Sequence, residues 1–225
     1  MTYTLPPNAR QQLIGELEEW VKPKGCYTVL CWQQLGGWFN WALNVYPLLC
    51  PALNNVYPKL RNQSNQNHTI WVNNAVRDDL RWALEKILAS DGLLLLCSVS
   101  WQADTATFTV YCNACPLDMG FWYSFLDEGF ICDTPPDLCD GLIFYFEALC
   151  VLCALHNACL RTSWSGCFIL YTDNLNTVDI FTFLQALPDY NVILHSAVDL
   201  LYDGGHDLQV LHVPGIQNQV ADALS

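Results

Sequence analysis

The spacing of apolar positions divides the chain near residue 100 into a helical part and a part that mixes strands with helices. In residues 11–21, Leu13, Ile14, Leu17 and Trp20 recur at close to helical spacing, and Pro23 closes the run. Residues 27–49 are dense in Leu, Trp and Phe, and Pro47 and Pro51 bound their end. Asn62 to Asn67 is a polar loop. Residues 70–88 then place Val72, Val76, Leu80, Ala83, Leu84 and Leu88 between charged positions, an amphipathic helix that Asp91-Gly92 stops. From Leu93 the period changes. Residues 105–112 alternate and are rich in β-branched and aromatic residues, which predicts a strand; 121–123 and 130–134 predict two more. Pro135, Pro136 and Gly141 mark a loop, and 143–160 is apolar all round, a buried helix. Residues 167–172 are a continuous apolar strand, suited to the middle of a mixed sheet. Helices at 177–187 and 192–202, a strand at 208–213 and a short last helix complete the pattern. Strands first, then alternating helices and strands, predict an α/β sheet flanked by helices.

Composition narrows the class. Hydrophobic residues make up 52% and charged ones 14%, which excludes a disordered chain. The residues from Gly92 to Ser100 form an apolar run of about ten, short of the roughly 20 that a spanning helix needs. The start lacks a basic patch followed by an apolar stretch, so an intracellular protein (cytoplasm or nucleus), neither secreted nor transmembrane, is expected. Twelve cysteines sit mostly inside apolar runs, where a reduced thiol packs as a small hydrophobe. The pairs Cys112/Cys115 and Cys150/Cys153 stand further apart than the roughly 15–20 residues that separate the halves of a four-Cys zinc site. Charge is lopsided: eight basic residues face seven acidic ones up to Asp91, whereas Arg161 alone faces fifteen acids beyond it. Such a balance repels a phosphate backbone unless cations intervene.

Candidate chemistry gathers where apolar strands end. Cys112-Asn113-Ala114-Cys115 follows the first strand, Tyr171-Thr172-Asp173-Asn174 follows the buried one, and His212-Val213-Pro214-Gly215 leads into Asn218 through Ser225. Glu147 lies near the start of the apolar helix. Polar groups at strand ends of an open α/β sheet commonly line a site, and clustered carboxylates suit Mg²⁺. Each has a plainer use: Glu147 at a helix start, Asp173-Asn174 as a cap, Asp222 as a solvated helix residue. Their joint order carries the reading. His212 reads as a structural strand residue, and Trp32, Trp38, Trp41, Trp71 and Trp82 as core rather than base-stacking platforms.

In this order, the motifs resemble the ribonuclease H-like domain of retrotransposon polyproteins. The matching stretches are Cys112–Cys115 with Gly120-Phe121-Trp122, then Glu147, then Tyr171-Thr172-Asp173-Asn174, then His212 through Ser225. Upstream, Trp32 to Pro47, Pro51-Ala52-Leu53 and the helix with Trp71 and Trp82 are similar to the helical thumb and connection region of reverse transcriptases, closest to the DIRS-type (tyrosine-recombinase) retroelements. The resemblance implies a thumb/connection-like segment at 1–98 and a ribonuclease H-like mixed sheet flanked by helices at 99–225. A polymerase palm normally lies upstream; no Tyr-x-Asp-Asp occurs in this sequence. The implied chemistry is two-metal hydrolysis of the RNA strand of RNA–DNA hybrids, with Mg²⁺ or Mn²⁺ and no membrane partner. Glu147, Asp173 and Asp222 take metal-ligand positions. Asn113 stands where the family has its first Asp, and a neutral amide bridges two cations poorly. Asp118 and Asp104 are poor substitutes. A weakened or inactive nuclease is expected, with a non-catalytic remnant or scaffold module as the alternative.

Overall fold

The computed structural model describes residues 2–90, 92–94, 101–135 and 143–225. Most of the apolar run 92–100, as well as Pro136 and Gly141, therefore lies outside the described residues. The chain divides into two compact units, Met1–Val99 and Ser100–Ser225.

The first unit is mainly helical. Its helices are α1 (Pro7–Trp20), α2 (Val29–Ala42), α3 (Tyr57–Leu60) and α4 (Asn74–Ala89), with a 3-10 segment at Pro47–Leu53. Two small antiparallel pairs join them: β1 (Thr2–Tyr3) with β4 (Leu93–Leu94), and β2 (Cys26–Thr28) with β3 (Thr69–Trp71). The β3 pairing displaces the expected start of the amphipathic helix from residue 70 to 74, where the Asn73 side chain accepts from the Val76 amide at 3.1 Å. Leu13, Leu17, Trp32, Phe39, Leu49, Leu80 and Ile87 are buried together. The expectation that all five tryptophans are core needs correction. Trp32 is buried, but Trp41 and Trp71 are 45% and 65% exposed. Trp71 ends a short strand whose side chains alternate, which turns it to solvent.

The second unit is the expected α/β sheet flanked by helices. Its strands are β5 (Phe108–Ala114), β6 (Asp118–Tyr123), β7 (Glu128–Asp133), β8 (Cys167–Thr172) and β9 (Asp207–His212), in the order β7-β6-β5-β8-β9. β5, β6 and β7 form an antiparallel meander, while β5–β8 and β8–β9 are parallel. The parallel steps need crossovers, supplied by α5 (Ile143–Leu160) and by α6 (Leu175–Phe183) with α7 (Asn191–Gly204). β8, bounded as its pattern predicts, lies between two parallel neighbours, and Phe168, Ile169 and Leu170 are fully buried. α5 is 18 residues long and apolar enough, by length and composition, to cross a membrane. In this fold it packs on β5, β6 and β8, burying Phe146, Ala148, Cys150, Val151, Ala154 and Leu155. α6 ends earlier than the pattern predicts: Leu184 adopts φ 52°, a left-handed turn that stops the helix before Pro188.

Candidate active site at the carboxyl edge of the sheet

β5 and β8 run in parallel with Tyr111 opposite Tyr171, so their carboxyl ends lie side by side. Two residues further along stand Asn113, still within β5, and Asp173, just past the end of β8. α5 crosses one face of the sheet and brings Glu147 to this edge one turn into the helix. The segment after β9 returns to the edge through a 3-10 turn (Gly215–Gln217) and α8 (Gln219–Asp222), which packs on β5 and β6. Four positions separated by up to 109 residues thus lie along one edge of the sheet, with Asn113 and Asp222 in direct contact.

Glu147 is 5% exposed. Its carboxylate accepts from the Thr172 hydroxyl at 3.4 Å and is also hydrogen-bonded by the Ala114 backbone. Burial, followed by repulsion from the Asp173 carboxylate, pushes its pKa up to about 7, and those two hydrogen bonds only partly offset the rise. At neutral pH a carboxyl held in this way is poised between its neutral and charged forms.

On the other side of the edge, Asn113 is buried and its Nδ2 donates to Asp222 Oδ1 at 3.1 Å and to Ser225 Oγ at 2.9 Å. Asn218, 1% exposed, donates from Nδ2 to the Cys112 carbonyl at 3.0 Å and anchors the same segment one residue back along β5. The glycines of the motifs make room. A Cβ at Gly120 would lie 2.6 Å from Leu224 Cβ and 2.9 Å from its carbonyl carbon; one at Gly215 would lie 3.2 Å from Asp173 Oδ2. Gly120 faces Asn113 across the β5–β6 pair, so the missing side chain lets residues 219–225 lie directly on the sheet.

The sequence-predicted positions fall into two pairs. Glu147 and Asp173 interact electrostatically, while Asp222 is held by Asn113. Among the described residues, no three His, Cys, Asp or Glu side chains are grouped to hold a metal ion. The donors do not fit a pair of cations bridged from β5, where the amide brings no charge. Asp118 opens β6 opposite Asp133, and Asp104 lies in the 3-10 turn before β5, at the opposite end of that strand. His212 ends β9 level with Thr172 and is exposed. Asn174 caps α6, accepting from the Thr177 amide at 3.2 Å, which leaves Asp173 to the site.

No family model matches the chain, and no curated protein does. Solved structures do. Ribonuclease H1 of the halophilic archaeon Halobacterium salinarum aligns at 18% identity over 52% of this chain and 92% of its own, with a TM-score of 0.42. LC11 ribonuclease H1, solved with an RNA/DNA hybrid, aligns at 11% over 52% and 93%, with a TM-score of 0.43. A foamy viral protease-reverse transcriptase, also solved with an RNA/DNA hybrid, aligns at 14% over 92% of this chain, with a TM-score of 0.32; the alignment spans 27% of that protein.

Sequence reasoning singled out the four edge positions but missed what Thr172 and Ser225 do. Thr172, completely buried, is a hydroxyl donor to Glu147, and Ser225 is the second acceptor of the Asn113 amide. Both lie inside the quoted motifs, so the signal was present as residue type; their partners depend on chain crossings that spacing does not reveal. Cys112 and Cys150 contact each other in the core beneath the edge, and burial pushes the Cys112 thiol well up, so it packs as a neutral hydrophobe. The ten described cysteines are free thiols.

Proposed function

We propose that residues 99–225 are a ribonuclease H-like domain of retroelement origin whose cleavage of the RNA strand in RNA–DNA hybrids is weakened or lost. In the same reading, residues 1–98 are a DIRS-type thumb/connection-like segment that normally follows a reverse transcriptase palm, in an intracellular protein. The observation that carries the reading is the meeting of Asn113, Glu147, Asp173 and Asp222 at one edge of a mixed sheet, in the order the motifs imply. The loss of activity is supported by the same four positions. Two carboxylates face each other, the third is bonded to an amide, and β5 offers no charge to bridge two cations. Residual cleavage would need Mg²⁺ or Mn²⁺ held by Glu147 and Asp173, where the cation would offset the repulsion between them.

A non-catalytic scaffold role is favoured by a separate observation. Arg161, the single basic residue after residue 100, is already engaged. It pairs with Glu128 at 2.7 Å, donates to Asn157 at 2.8 Å and lies 4.5 Å over the Tyr123 ring. The two readings separate in one assay, in which the chain is incubated with a labelled RNA–DNA hybrid in Mg²⁺ or Mn²⁺ beside Asn113→Asp and Asp173→Ala. Little or no cleavage is expected from the unaltered chain, with a gain on Asn113→Asp. Full cleavage by the unaltered chain that is lost in Asp173→Ala overturns the inactive reading. No cleavage and no hybrid binding by any form overturns the nuclease ancestry as a functional statement and leaves the scaffold.

A further inference from the structure

Asn113 does more at this edge than withhold a charge. Its Nδ2 has two hydrogens, and both are used, one on Asp222 Oδ1 and one on Ser225 Oγ. Its backbone carbonyl accepts from the Cys150 thiol at 3.3 Å, so the residue is fixed from α5 as well as from the sheet. The neighbouring Cys112 carbonyl holds Asn218. The segment 214–225 is thereby tied to β5 at two successive residues, and Leu224 fills the space left by Gly120 and Gly129.

An amide nitrogen between a strand and a carboxylate does part of a cation's work. It presents positive hydrogens to an anionic oxygen in fixed geometry, and a hydrogen bond to a charged acceptor is among the stronger ones. It differs from a cation in that it cannot dissociate. A carboxylate at position 113 would set two like charges within hydrogen-bond distance, a contact that needs a proton or a cation to hold. We propose that the Asn113 carboxamide takes the place of a divalent cation on Asp222, so that residues 214–225 close onto the sheet without metal. The cation half of this inference rests on the ribonuclease H-like reading; the amide–carboxylate tie does not.

The test is hydrogen exchange of peptides covering 214–225, read by mass spectrometry on the full chain at constant pH, with EDTA or with millimolar Mg²⁺ or Mn²⁺. Three forms are compared: the unaltered chain, Asn113→Asp, and the exchanged pair Asn113→Asp/Asp222→Asn. The unaltered chain and the exchanged pair are expected to show equal, slow exchange, unchanged by cation. Asn113→Asp is expected to exchange about tenfold faster in EDTA, in line with the loss of one charge-assisted bond, and to recover when the cation is added. The proposal is overturned if the unaltered chain is slowed by cation as much as Asn113→Asp. It is equally overturned if Asn113→Asp in EDTA matches the unaltered chain, or if neither the cation nor Asp222→Asn restores a loosened Asn113→Asp. No nucleic acid enters this measurement, so a failure of hybrid binding or cleavage leaves its outcome intact.

Discussion

Glu147 and His195 both lose solvent in the second unit, and both respond by favouring the neutral form, with opposite consequences for pH. Burial lowers the His195 pKa to about 4, and the nearby Asp199 only partly opposes this; Asn191 Nδ2 lies 3.3 Å from its Nε2. An unfolded histidine titrates near 6.5, so the unfolded chain takes up a proton first as pH falls. The stability associated with His195 is therefore fully present above about pH 6.5 and is lost as pH falls toward 4. For Glu147 the raised pKa acts the other way: its contribution is fully present below about 4.5 and is lost as pH rises through about 7. His195→Gln keeps a polar partner for Asn191 but cannot titrate. Denaturant unfolding at pH 7.5 and pH 4.5 should show the variant losing about 1–2 kcal/mol less than the parent between the two values, after allowance for partial exposure. Equal losses would remove His195 as a source of acid sensitivity.

At the scale of elements, the contact of β6 and β7 with the segment 219–225 makes unequal demands on Gly120 and Gly129, one from each strand. A Cβ at Gly120 meets the Leu224 backbone at 2.9 Å and its Cβ at 2.6 Å, whereas one at Gly129 meets only the end of the Leu224 side chain, at 2.9 Å. Backbone cannot move aside cheaply; a methyl can rotate. Gly120→Ala is expected to cost about 1–3 kcal/mol and to loosen α8, and Gly129→Ala less than about 1 kcal/mol, measured by chemical denaturation. Similar costs at both positions would mean that residues 219–225 do not seat on the sheet as described. Elements long enough to show their period were legible in the chain itself: α5 and β8 occupy the residues their patterns predict, and β5 to β7 lie within a few residues of theirs. The errors have local causes. β3 is three residues long, too short for its alternation to show before a strongly amphipathic helix, and α6 stops at a left-handed leucine that no breaker residue announces. The shared edge was legible because Asn113, Glu147 and Asp173 each stand at or near the end of an apolar strand or the start of a helix. The Asn113–Asp222 bond was not, since it joins residues 109 apart in sequence across a sheet face.

Across the whole molecule, charge decides what kind of nucleic-acid contact is available. The affinity of a protein for a phosphate backbone falls with salt in proportion to the number of phosphates it neutralises, by a slope of about −0.9 per contact on double-stranded DNA. After residue 100 the chain offers one cation, Arg161, and it is committed to Glu128 and to the faces of Tyr123 and Phe130. The eight basic residues before residue 90 include Arg10, bonded to the Ile87 carbonyl at 2.6 Å, and Arg81, paired with Asp78 at 2.6 Å. Both pairs bear on backbone supply: Arg10 braces its own unit, while the Arg81–Asp78 pair is exposed and easily exchanged for a phosphate. Any hybrid affinity of the full chain should therefore originate before residue 90. If the full chain binds a labelled hybrid, fluorescence anisotropy between about 50 and 200 mM salt should give a slope of more than one unit. Substituting Lys59, Arg61 and Arg81 by Gln should flatten that slope. Substituting Arg161 should leave the slope unchanged while lowering the stability of the second unit, because that guanidinium is bonded to protein. A slope that follows Arg161 instead would show that the β7 edge, acidic as it is, carries the backbone, and would restore the second unit as the binding surface.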